Sequence, residues 1–386
     1  MAENTYDYII AGGGMAGLSL AFHLNRSSLK NKKVLIIDRE TKNQNDHTWC
    51  FWEKEESTFE SIVYRKWNGV WFHGTNKFSE FLSLENYVYK MIRAVDFYEF
   101  VFSQIKGNSN FTFLQAEILA VENDVVKTNQ GEFLANEFIF DSFTRKTYDD
   151  PNYQNLWQHF LGWMIETDEA KFNPNELTLF DFRVEQNDEC RFAYILPITE
   201  NKALIEFTVF SDNLLQHPEY EENLSRYITE ILKISNYKII ETEHGVIPMS
   251  DEPHEEFPSE KTIRIGTPGG YVKASTGYSF QRTQRRLQRL VEDLENGKWK
   301  MENGKWKMWK NYLDSVLLNV LLTNKHSADD VFTQLFRNNK TSQVLKFLDE
   351  DTNLIEDLQI MRSVSMIPFS KAAFEIAVKK ISASRK

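Results

Sequence analysis

Two stretches of this 386-residue chain carry residue types and spacings that could do chemistry. The first reads Y-D-Y-I-I-A-G-G-G-M-A-G from Tyr6 to Gly17 and runs on into L-S-L-A-F-H-L. Gly12, Gly14 and Gly17 stand in the G-x-G-x-x-G register of a dinucleotide-binding turn, with Ala16 inside it. Each glycine has a reason: Gly12 for the tight turn, Gly14 for close approach of a pyrophosphate, Gly17 for close packing of helix on strand. Phosphates would then rest on unpaired N–H groups at a helix N-terminus. The second stretch is Ala203–Phe210, A-L-I-E-F-T-V-F, in which Glu206 is the sole charge. On a strand Glu206 shares a face with Leu204 and Thr208. Buried among apolar groups, its carboxyl would hold its proton near neutral pH and could donate it. On an edge strand it would face water, and composition alone leaves the two placements equal.

Other residues extend these sites. Lys33–Asp38 is a short apolar strand ending in an acid, followed by Arg39. Asp38 could accept hydrogen bonds from ribose hydroxyls, although it stands slightly beyond the usual spacing of about 20 residues. A second glycine cluster, Gly266-Thr267-Pro268-Gly269-Gly270, leads through Thr276 and Gly277 to Tyr278. It also follows a strand and opens a helix, so it reads as a second grip on one long cofactor. His47, Trp49, Phe51, Trp52, Phe207 and Tyr278 are candidates for the lining of a flavin or polyene cavity. The histidines and cysteines show no metal-ligand spacing.

The elements that must position these residues can be read from periodicity. Residues 6–38 form a strand–helix–strand unit, and 93–106 a helix with one apolar face. Short strands occupy 111–141, with turns at Asn123-Asp124 and Gln130-Gly131. Residues 157–210 are strand-like throughout, 219–235 helical, 237–249 extended, and the chain is mostly helical from Gln281. The expected fold is therefore α/β. A Rossmann-like FAD-binding domain (1–145 plus 259–294) carries an antiparallel substrate domain (146–258) and a helical C-terminal region (295–386). A glycine turn this near the first residue favours FAD over NAD.

Composition bounds the partners. The formal charge of −11 argues against nucleic acid. Two cysteines make no disulfide framework. The N-terminal apolar run lacks a basic flank and is broken by glycine, so no signal peptide is read. No run reaches the ~20 apolar residues of a spanning helix. Glu295–Met301 and Glu302–Met308 are identical seven-residue copies, E-N-G-K-W-K-M. With Trp299, Trp306, Trp309, the surrounding lysines and apolar Val316–Leu322, this segment suits a bilayer headgroup layer. Gly297 and Gly304 favour instead a solvated loop.

Taken in order, these segments resemble the flavin-dependent lycopene cyclase family of bacterial type. The resemblance rests on G-G-G-M-A-G-L-S-L-A, H-T-W-C-F-W (47–52), F-D-F-R (180–183), Y-I-L-P (194–197), I-E-F-T (205–208) and G-T-P-G-G-Y-V-K-A-S-T-G-Y (266–278). K-F-L-D-E (346–350) and I-P-F-S-K-A (367–372) continue it nearly to the C-terminus. The duplication departs from the family pattern. The resemblance implies a redox-neutral isomerisation, in which the terminal double bond of lycopene is protonated and the cation closes to a β-ring. It implies reduced FAD with NADPH or NADH as reductant, and Glu206 as the acid of an E-x-T motif. It also implies cytoplasmic, peripheral attachment to the inner face of the cell membrane. The competing expectation is an FAD-dependent monooxygenase or isoprenoid reductase on the same scaffold, with net redox change.

Overall fold

The computed structural model describes residues 4–298 and 305–383. Its first sheet is built around the glycine turn. Strands β1 (Thr5–Ala11), β2 (Val34–Asp38), β8 (Phe111–Gln115), β11 (Gly131–Asp141) and β17 (Thr262–Arg264) run parallel in the order β8-β2-β1-β11-β17. Their apolar runs lack strict alternation because both faces are covered. Helices α1 (Met15–Asn25), α2 (Ala94–Ile105) and α4 (Phe280–Glu295) cover one face, burying Ile10, Ile36, Phe22 and Leu287. The meander of β9 (Ile118–Glu122), β10 (Val125–Thr128) and the first half of β11 covers the other, over Ile9, Leu35 and Val126. The turns foreseen at Asn123 and Gly131 both have positive φ, 50° and 127°.

The second sheet has seven strands in the order β16-β12-β15-β14-β13-β5-β6. They are β5 (Gly69–His73), β6 (Ser79–Ser83), β12 (Asn155–Glu166), β13 (Leu177–Asp181), β14 (Cys190–Thr199), β15 (Lys202–Ser211) and β16 (Lys238–Ser250). The antiparallel expectation for 157–210 agrees with this order. One boundary does not. Residues 69–83 fall in the span assigned from sequence to the nucleotide domain, yet Leu177–Asp181 pairs in parallel with Val70–His73. Val70 and Phe72 complete the same apolar core as Leu177 and Leu179. A small third sheet, β3 (Thr48–Glu53), β7 (Val88–Arg93) and β4 (Arg65–Trp67), bridges the two.

Helix α3 (His217–Arg226) seals one face of the second sheet, where Leu161, Ile205, Phe207 and Val209 meet Tyr220 and Leu224. Helices α5 (Lys305–Leu322), α6 (Ala328–Asn338), α7 (Thr341–Leu348) and α8 (Leu354–Arg362) contribute Leu318, Phe332, Phe336, Leu345 and Ile360 to the core on the other face. Helix α9 (Met366–Ala383) lies along α5. This packing corrects the bilayer reading of the segment around the duplication. Val316, Leu318 and Val320 are buried in protein, and Lys310 forms an inward ion pair with Asp357 at 2.7 Å. Trp309 donates its indole N–H to the same Asp357 at 2.9 Å. Trp299 lies outside the described residues. Among the described residues no helix is long and apolar enough to cross a membrane.

Candidate active site

The carboxyl edge of the parallel sheet collects the glycine turns. Gly12 follows β1 with φ +105°, and a Cβ there would lie 2.4 Å from Ser142 Oγ beyond β11. A Cβ on Gly17 would lie 1.9 Å from Gly12 O, so only glycine lets α1 start this close to β1. Around Gly14 a Cβ would meet nothing within 4 Å, and no side chain caps α1 at this residue. The turn thus leaves open space facing a bare helix N-terminus. Asp38 closes β2 and accepts the Gly13 N–H at 2.7 Å and the Glu40 N–H at 2.9 Å, with Lys42 at 3.1 Å. An ionised carboxylate has about four acceptor positions, so one remains for a further donor. Arg39 turns outward beside Glu40 at 3.4 Å.

The second glycine loop abuts the first. Gly266 has φ +63°, and a Cβ on it would lie 2.8 Å from Ala16 Cβ. Gly269 passes so close to Arg264 O that a Cβ would stand 2.3 Å away, and Gly270 has φ +69°. The loop then runs to Thr276 and Gly277, which line a cavity between the second sheet, the small third sheet and the C-terminal helices. The helix that this loop was expected to open begins at Phe280. Buried ion pairs clamp the loop: Lys273 Nζ lies 2.7 Å from Asp314 and 3.1 Å from Glu350, and Ser275 donates to Asp314 at 2.7 Å.

Alternation along each strand decides what enters the cavity. On β15, Glu206, Thr208 and Phe210 face it; on β12, Gln158 and Phe160; on β14, Phe192 and Tyr194. Glu206 is 9 % exposed, which removes the solvent-facing alternative. Burial first, then the charge of Glu243, pushes its carboxyl pKa well above the ordinary range. Beside it, Tyr194 donates to the hydroxyl of Tyr89 at 2.8 Å, and Tyr89 and Tyr278 hydroxyls meet at 3.0 Å. Trp52 stands edge-on to Tyr278, with centroids 4.5 Å apart. At the other end, Phe180, Phe192, Phe210, Phe332 and Phe336 form a wall of phenyl rings.

Of the residues expected in a cavity, Trp49, Trp52 and Tyr278 line it. Three do not. Phe207 points to the opposite face of β15 and is fully buried under α3, because neighbouring strand residues alternate. Phe51 on β3 instead packs into the core of the first sheet and stacks on Phe280 at 4.6 Å. His47 precedes β3 and is exposed. The sequence reading missed Tyr89, Tyr194, Gln158 and Glu243. One available signal was Gly162, a glycine inside the twelve-residue strand β12, since such a glycine marks close approach of another group.

The lycopene cyclase protein family model matches residues 7–374. The chain belongs to that family. A lycopene beta-cyclase from Pantoea ananas is 22% identical over 286 residues, which cover 71% of each chain. Neoxanthin synthase from Solanum tuberosum is 24% identical over 319 residues, 76% of this chain but only 61% of that protein. Among solved structures, a geranylgeranyl bacteriochlorophyll reductase-like protein from Thermoplasma acidophilum superposes with TM-score 0.66 at 15% identity, covering 95% of this chain and 98% of that one. A flavoprotein/dehydrogenase from Cytophaga hutchinsonii gives 0.62 at 11% identity, covering 97% and 100%. The fold of this family member is thus the one those two structures share.

The residues fit a long dinucleotide. The open space at Gly14 and the uncapped start of α1 suit a pyrophosphate. At the cavity, Thr276 Oγ1 and Gln158 Oε1 are buried without a hydrogen-bond partner. Orphaned polar atoms of this kind call for a polar ligand edge. The loop from Gly266 to Gly277 joins these two places.

Proposed function

We propose that this chain is a lycopene beta-cyclase, an isomerase that closes β-rings at the ends of linear carotenes without net redox change. The observation that carries the reading is Glu206: a buried carboxylic acid on the wall of an aromatic cavity, with its pKa raised. Glu206 would deliver its proton to a terminal double bond, and the neighbouring double bond would close the ring on the cation. The faces of Trp52, Tyr89, Tyr194 and Tyr278 would stabilise positive charge. The phenylalanine wall would seat the apolar chain and exclude water that could quench the cation. Gly12, Gly14, Ala16, Gly17, Asp38, Gly266, Gly269, Gly270, Thr276 and Gly277 would hold FAD. When bound in its reduced form, FAD would supply negative charge beside the developing cation, with NADPH or NADH as reductant.

A substrate this apolar resides in lipid, and the reading includes peripheral membrane contact. Ile367, Phe374 and Val378 are exposed along one face of α9, with Lys371 in the same stripe and Lys379 and Lys380 beside it. Apolar residues among lysines suit an anionic lipid surface. Phe374→Ser is expected to lower sedimentation with anionic vesicles roughly tenfold, since a buried Phe contributes about 1.5–3 kcal/mol.

The deciding experiment expresses wild type and Glu206→Gln in lycopene-accumulating cells and separates the pigments by chromatography. Cyclic carotenes of unchanged mass in wild type alone are expected. Cyclic product from Glu206→Gln, or a product that has gained oxygen or hydrogen, would overturn the proposal.

A further inference from the structure

We infer that Glu243 is the positioning residue that keeps the Glu206 carboxyl protonated and ready at the cavity wall. The inference rests on the reading of Glu206 as the acid. Its basis is a row of four residues across four strands. Tyr194, Glu206, Gly162 and Glu243 stand opposite one another on β14, β15, β12 and β16. Residues directly opposed across a sheet point to the same face, here the cavity face.

Gly162 makes this row a device. A Cβ on Gly162 would stand 2.9 Å from Glu206 Cγ and 3.6 Å from its Oε1. The Glu206 side chain therefore lies across the middle strand, toward Glu243, in the space that a side chain would have filled. Neighbouring strands are about 4.8 Å apart, which puts the Glu206 carboxyl ~5 Å from the far strand. Glu243 is held in turn: its Oε1 accepts the Thr48 N–H at 3.0 Å. Thr48 itself lines the cavity.

The titratable groups facing Glu243 are Glu206 from β15, Cys50 from β3, Asp46 from the segment before it and Glu241 from its own strand. All are acids. Burial raises the Glu243 pKa to about 7, and burial together with Glu243 raises that of Glu206 well above the ordinary carboxylate range. While Glu243 carries charge, ionisation of Glu206 is opposed by a like charge beside it. That has two consequences for the reaction. Before turnover, the Glu206 proton stays on. During turnover, the O–H bond of Glu206 breaks as a C–H bond forms, leaving a carboxylate and a carbocation. An alkene electron pair closes the ring, and the carboxylate, made more basic by Glu243, retakes a ring proton. No electrons are gained or lost, and the acid is restored.

The test is the pH dependence of turnover in the FAD-loaded enzyme. Glu243→Gln preserves size and the acceptor for Thr48 but removes the charge. The limb on which activity falls as Glu206 ionises should move to lower pH by about one unit, a tenfold loss above it, with the acid plateau retained. Flavin content should not change and the melting temperature should not fall, and Glu243→Asp should restore part of the alkaline range. An unshifted limb in Glu243→Gln would overturn the inference and leave Glu206 as the acid. An active Glu206→Gln would remove the underlying reading instead. Independently of any variant, infrared titration of wild type should show the protonated carboxyl band lost in two coupled steps; a single independent step would also overturn it.

Discussion

Two of the regions where this protein buries charged or ionisable groups do so in opposite ways. Around α5, buried charges are paired with opposite ones: Lys310 with Asp357, and Lys273 with Asp314 and Glu350, the latter also held by Arg282. At the cavity, buried Glu206 and half-buried Glu243 stand in one row, two acids on one face. Paired charges in low dielectric hold their ionised forms, and removing one partner strands the other. Unpaired acids take up protons instead. The first arrangement fixes where the loop Lys273–Gly277 sits. In the proposed reaction, the second would hold a transferable proton at the end of that loop. The difference separates positioning from chemistry within one cavity wall.

Substitutions can break this contrast. Glu206→Gln is expected to lower turnover by ~10²–10⁴-fold, the usual contribution of a general acid, without lowering the melting temperature. Lys310→Met should do the reverse. It leaves Asp357 buried and unpaired, and is expected to cost about 3–5 kcal/mol, read from the midpoint of denaturant unfolding. Asp314→Asn sharpens the comparison, because it withdraws the charge facing Lys273 while leaving an acceptor for Ser275. A loss of about 1–3 kcal/mol and weaker FAD retention on gel filtration are expected.

The most gradual effect is the pH slope of stability. For Glu243 the folded pKa of about 7 lies above the ordinary 4.5. Its contribution is fully present below 4.5 and is lost as pH rises toward 7, because the unfolded chain gives up the proton first. Stability should therefore fall across this window by at most about 1.4 kcal/mol per pH unit for each proton. Glu206→Gln and Glu243→Gln should flatten the slope. A wild type with no slope there would mean that the fold does not raise the proton affinity of these acids.

Much of the architecture was legible beforehand. Gly12 and Gly17 announced the β1–α1 turn because no other residue satisfies its φ or its contact distance. The helix at Ala94–Ile105 followed from apolar periodicity, and the strands from 157 to 210 from their dense apolar character. Less was legible at the site. Phe51 and Phe207 belong to the expected segments but face away, because strand alternation says which residues share a face and not which face meets the cavity. The transfer of residues 69–83 to the second sheet was equally hidden, since parallel pairing with Leu177–Asp181 joins segments about 100 residues apart.

What the chain's own residues determined is local: a glycine turn with one backbone solution, a lone acid in an apolar strand, helices and strands set by period. Whether that acid was buried or wet waited on three neighbours far away in sequence, Gly162, Tyr194 and Glu243, brought beside it by strand register. The physical reason is that a carboxyl's proton affinity depends on the dielectric and the charges within a few ångströms, and only the folded chain specifies those.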